Sequence, residues 1–242
     1  MKKAVFLVLL FLVNACAKPP MLSTAKDPAD AFRECHQFTE DKSYLKANEC
    51  LELLKSRYPG TPEAIRAELE MADNDFRQND YLVAVEAYKN FARLHPGYPE
   101  IDYVYYRTGQ AYLKESPSAI DRDQQYLDDA IHYFSLALNQ PESLYRGVAR
   151  EKWNEARRRL AARSFYIGRF YSRSGEYLSA IPRFEEVITK YPELGFDEPA
   201  LYAMGRAYLE LGEREKAGEV ARLFAEHFPE SRYRKKLVRS LD

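Results

Sequence analysis

The chain is 242 residues long and carries 36 basic against 37 acidic side chains, a net charge of −1. No global positive field is available to hold nucleic acid, so that class of partner is set aside. Tyr (19) and Phe (13) are abundant, Gly (10) is sparse and runs of alternating polarity are absent, which together point to an all-α chain.

Lys2 and Lys3 precede an apolar run from Ala4 to Val13. Ten residues are too few to cross a bilayer and have the length of the apolar core of an export signal. The run ends in Val13-Asn14-Ala15-Cys16, which resembles the lipobox of bacterial lipoproteins. That resemblance implies a signal peptide over residues 1–15 and acyl chains on Cys16. Each buried methylene contributes ~0.8 kcal/mol, so a stable anchor needs more than one chain. Ala17, where an Asp would retain such a protein in the inner membrane, implies the outer membrane. Residues 16–30 are expected to form an extended tether, with Pro19, Pro20 and Pro28 keeping it straight.

From Phe32 to Pro229 a pattern recurs in which a small residue, an alanine, aromatics and a closing proline hold fixed places. The first unit has Cys35, Phe38, Tyr44, Ala47, Leu51, Leu54 and Pro59, and is degenerate. The second has Ala72, Phe76, Tyr81, Ala84, Tyr88, Phe91 and Pro96. The fourth has Gly168, Tyr171, Gly175, Tyr177, Ala180, Phe184 and Pro192, and the fifth Gly205, Tyr208, Gly212, Ala217, Phe224 and Pro229. In these four units the small residue precedes the alanine by 12, and the alanine precedes the proline by 12. This is the tetratricopeptide pattern, which predicts an α-solenoid of about five helical hairpins. The third unit, with Gly109, Tyr112, Ala130 and Phe134, spreads the first interval to 21 residues. After Pro141, residues from about Tyr145 to Arg173 lack proline and predict one long helix into the fourth unit.

Five such units behind a lipobox resemble the BamD lipoproteins of the β-barrel assembly machinery. The resemblance rests on the insertion Ile120-Asp121-Arg122-Asp123-Gln124, on Ala130-Ile131-His132-Tyr133-Phe134, and on the tracts Tyr81 to Pro96 and Tyr171 to Phe184. It implies a protein-binding scaffold, not an enzyme, at the periplasmic face of the outer membrane. Its implied partners are the periplasmic domains of the barrel subunit BamA, other Bam lipoproteins and unfolded outer-membrane β-barrel proteins. It further implies that repeats one to three, residues 31–140, receive substrate, while residues 141–242 dock BamA. Other scaffold readings are a lipoprotein of pilus or secretin assembly and a peptidoglycan-associated coordinator.

Repeat geometry places one face of each first helix on a concave groove. Those positions are Phe32, His36, Arg66, Leu69, Asp73, Phe76, Arg77, Tyr103, Tyr106, Gln110, Leu113 and Lys114. Aromatics there would supply apolar area and the cations could hold a terminal carboxylate. The competing reading makes the same aromatics partly core and the charges merely solvated. Arg157 and Arg158 on the long helix, with Arg169 and Arg206 on the groove side of the last two units, are candidate contacts for an acidic partner. Against this stands a helix laced by local ion pairs of little individual worth. Cys35 and Cys50 fall on facing helices of one hairpin, which leaves a disulfide and two buried free thiols both open. The four His residues are scattered, and no catalytic, cofactor or metal-binding constellation is recognised.

Overall fold

The computed structural model describes residue 22 and residues 25–241. The export signal, Cys16 and most of the expected tether lie outside them. The described residues form eleven α-helices and no strand: α1 (Pro28–Glu40), α2 (Tyr44–Arg57), α3 (Pro62–Arg77), α4 (Tyr81–Leu94), α5 (Ile101–Glu115), α6 (Gln125–Leu138), α7 (Arg146–Arg173), α8 (Tyr177–Lys190), α9 (Asp197–Glu210), α10 (Arg214–His227) and α11 (Arg232–Arg239). Helices α1 to α10 follow the five sequence repeats in pairs, and no described helix is long and apolar enough to cross a membrane. The chain divides into two compact units, up to Ala67 and from Glu68 onward.

The repeat register has a direct structural cause. The residue before each closing proline, Tyr58, His95, Tyr191 or Phe228, is a helix C-cap with φ between −137° and −125° and ψ between 47° and 60°. A following proline crowds the α conformation of the preceding residue, so all four second helices stop at one place. The turn inside each regular hairpin is equally fixed. Lys42, Asn79, Gly175 and Gly212 hold φ of 57°, 68°, 79° and 76°. Each stands seven residues after the small residue of its unit. Two of the four are glycine, which enters this left-handed region without steric cost.

In the first unit, Asp27 caps α1 by accepting from the Asp30 N–H at 2.8 Å, and Pro28 occupies the first helical turn. The expectation that Pro28 extends the tether is therefore corrected. Its fixed φ suits the first turn of a helix, where no N–H is needed. Leu22 is also anchored: its N–H donates to Glu34 at 2.9 Å and its carbonyl accepts from Arg57 at 2.8 Å.

In the second unit α4 packs on α5, α6 on α7 and α8 on α9. One core gathers Val85, Leu127, Phe134 and Leu160, and another Phe184, Leu201, Val220, Phe224 and Leu237. Glycines allow the close approach. A Cβ at Gly109 or at Gly168 would lie 2.7 Å from the ring of Phe134 or of Phe184. In the fifth repeat the notch at Gly205 receives Leu237 of α11 instead, because the corresponding position of α10 is the small Ala221. The insertion of the third repeat is stitched to α7. Arg159 donates to the carbonyls of Leu113 (3.5 Å), Ser116 (3.3 Å) and Pro117 and to the Gln124 side chain at 3.0 Å. Gln124 in turn donates to the carbonyls of Pro117 and Ala119, both at 3.0 Å.

Candidate protein-binding surfaces

In the first unit Phe32, His36 and Arg66 come together. The Arg66 guanidinium lies 4.3 Å from the centroid of the Phe32 ring, which stacks on His36 at 5.9 Å. With Ala29, Arg33 and Glu63 they line a pocket of about 310 Å³. An exposed cation over a ring offers a ligand one apolar wall and one charge, the combination that suits an aromatic residue beside a carboxylate.

The second unit uses several expected groove residues for itself. Asp73 is buried and accepts from the Tyr88 hydroxyl, from the Tyr103 hydroxyl at 2.8 Å and from Arg107 Nε at 3.3 Å. Arg107 extends the network to Gln110 Oε1 at 3.1 Å, and Gln110 donates to the Tyr106 hydroxyl at 2.7 Å. Burial first, and then the Asp73 carboxylate, hold the Tyr88 and Tyr103 phenols well above their usual values, so both stay donors. Asp73 is thus corrected from a ligand contact to a structural one, because a buried carboxylate must be paired, and half-buried Tyr103 commits its hydroxyl to it. Leu69 and Leu113 are also buried. Phe76 is half-buried beneath Arg107, whose guanidinium carbon is 3.7 Å from the ring centroid. Tyr106 stacks on Tyr145 at 5.5 Å and remains half-exposed, while Arg77 and Lys114 are exposed.

The later repeats build the larger site. A groove of about 600 Å³ is lined by Phe165, Arg169, Ser172 and Arg173 of α7, Tyr177 and Phe184 of α8, Pro199, Tyr202, Ala203, Arg206, Ala207 and Glu210 of α9, and Tyr233 of α11. Arg206 pairs with Glu210 at 2.7 Å, one helical turn away. Arg169 and Arg173 face the groove without a carboxylate partner among the described residues, and the Ser172 hydroxyl is buried there with no hydrogen-bond partner. The surplus of positive charge among aromatic walls favours an acidic segment.

The sequence grouping of four arginines is divided by the structure. Arg169 and Arg206 share this groove, whereas Arg157 lies over Trp153 at 4.1 Å and donates to the Lys190 carbonyl at 3.0 Å. Arg157 thus also serves the end of α8, whose last carbonyls attract a cation. Arg158 is exposed on another part of α7, beside Glu155 and Glu193. Sequence reasoning passed over Arg107, Tyr202 and Tyr233. Arg107 alone left a signal, a single charge inside the aromatic tract Tyr103-Val104-Tyr105-Tyr106 and Thr108-Gly109.

A family model described as "Outer membrane lipoprotein" (YfiO) matches residues 24–223. The chain belongs to the YfiO family of outer-membrane lipoproteins. Curated relatives in this group are named "Outer membrane protein assembly factor BamD". That of Neisseria meningitidis serogroup A is 26% identical over 96% of this chain and 93% of its own length. That of Rickettsia prowazekii is 29% identical over 85% of this chain and 82% of its own. Among solved structures, the "TPR2AB-domain:pHSP90-complex of yeast Sti1" aligns over 88% of this chain and 82% of its own. Its identity is 16% and its TM-score 0.42. Family membership assigns the chain to the outer membrane.

Proposed function

We propose that this lipoprotein is a non-catalytic assembly factor for outer-membrane β-barrel proteins, anchored through an acylated Cys16 at the periplasmic face. The near full-length likeness to BamD proteins, 96% of this chain against 93% of the relative, carries the reading. In it, the groove of repeats four and five holds the periplasmic domains of BamA. The surfaces of repeats one to three, with the Phe32, His36 and Arg66 pocket and the exposed parts of Tyr106, Gln110, Arg77 and Lys114, receive unfolded barrel segments. The acyl anchor confines the scaffold and both partners to one membrane surface, which raises their effective concentration.

The test is co-purification from detergent-solubilised outer membrane with a C-terminal tag, using the native chain and Arg169→Glu/Arg206→Glu. A stoichiometric barrel protein bearing repeated periplasmic modules, lost in the charge-reversed variant, is the expected result. A secretin or a cell-wall protein in its place would overturn the reading and favour the pilus or peptidoglycan alternatives.

A further inference from the structure

The first repeat differs from the others at the place where a hairpin closes. In the third and fourth repeats a glycine of the first helix receives an aromatic ring from the second. The first repeat has Cys35 at that position, and α2 carries no aromatic residue after Tyr44. The buried side chains of α2 are only Ala47, Cys50, Leu51 and Leu54. Cys35 and Cys50 are bonded to each other across the hairpin, with Cα atoms 5.2 Å apart, and neither has any exposed surface. Four small or aliphatic side chains give α2 little apolar area to bury, and a hairpin of that kind gains from a covalent staple.

We propose that Cys35 and Cys50 are an oxidative modification site, and that a dithiol–disulfide oxidant, by joining them, locks the first hairpin closed. The thiolate of one cysteine attacks the oxidant's disulfide, forming a mixed disulfide and releasing one oxidant thiolate. The second cysteine's thiolate then attacks the mixed disulfide at the first cysteine's sulfur, releasing the other oxidant thiolate. Two electrons pass from the pair to the oxidant, which leaves as a dithiol after taking up the two protons. Because both sulfurs are fully buried once the hairpin is closed, the exchange takes place on the open hairpin and closure then shields the bond. The locked hairpin in turn fixes the α1 wall of the pocket, since Phe32 stands one turn before Cys35 on α1, while Arg66 reaches it from α3. The inference holds whatever that pocket binds.

The test is hydrogen exchange by mass spectrometry on the full lipidated chain in detergent, together with alkylation of free thiols after denaturation. Three samples are compared: the chain as isolated, the chain refolded in reductant, and Cys35→Ala/Cys50→Ala. The isolated chain is expected to show no free thiol at either position. In the other two samples α1 and α2 should exchange roughly a hundredfold faster, the effect of losing a covalent loop of this size, with α4 to α10 unchanged. Free thiols in the isolated chain would overturn the proposal. So would equal protection of α1 and α2 in all three samples.

Discussion

Arg107 holds its Nε 3.3 Å from the Asp73 carboxylate, with only 15% and 13% of the two side chains exposed. The pair joins the first helices of the second and third repeats, and the Tyr88 and Tyr103 hydroxyls complete the shell around the carboxylate. Removing one member of a buried pair strands the other, at a cost of about 3–5 kcal/mol. Asp73→Ala and Arg107→Ala should each lower the unfolding free energy by that order in urea titrations. The double variant should cost less than the sum, because no charge is then left unpaired. Additive losses would mean that the two residues do not act as a unit.

The glycine notches give a second prediction with an internal control. Gly168→Ala drives a methyl group against the Phe184 ring, and overpacking of this kind costs about 1–3 kcal/mol. A Cβ at Gly218 in α10 meets nothing within 4 Å, so Gly218→Ala should stabilise by about 0.5–1 kcal/mol through helix propensity alone. Opposite shifts in thermal midpoint are expected, and equal shifts would contradict the close-approach argument.

Arg159 supports the insertion of the third repeat by donating to three backbone carbonyls and Gln124. Arg159→Ala should cost about 1.5–3 kcal/mol, the range for hydrogen bonds to a charged group. It should also speed proteolysis between residues 116 and 124. Arg159→Lys should restore little, since one ammonium cannot reach a forked set of acceptors. Full protease resistance in the lysine variant would argue that charge alone holds the loop.

Glu186 supplies a pH dependence. Burial by itself raises its carboxyl, but hydrogen bonds from Ser164 at 2.8 Å and Lys190 at 3.1 Å, with the charges of Lys190 and Arg183, outweigh that and lower the pKa. A lowered carboxylate pKa stabilises the fold above the unfolded-state value and loses that contribution as pH falls through the folded-state value. The difference in urea midpoint between native chain and Glu186→Gln should therefore shrink as the solution is acidified from neutrality through the carboxylate range. A pH-independent difference would sink this assignment.

The sequence by itself determined the helices, their order and the register of the repeats, because each follows from chemistry local to the chain. A proline bars the residue before it from the helix, and a left-handed turn recurs seven residues after each small residue of the regular repeats. The long α7 was legible for the same reason, since nothing between Arg146 and Arg173 breaks a helix. Only the tertiary structure decided which candidate side chains remain available to a partner. Asp73 meets Tyr103 and Arg107 at separations of 30 and 34 residues, and Arg159 meets the Leu113 carbonyl across 46. Periodicity assigns a residue to a face, but the partner that neutralises it there arrives from another helix, through packing that spacing along the chain does not encode. The cysteines follow the same division: their facing positions could be read in sequence, whereas their pairing rested on the 5.2 Å approach of α1 and α2.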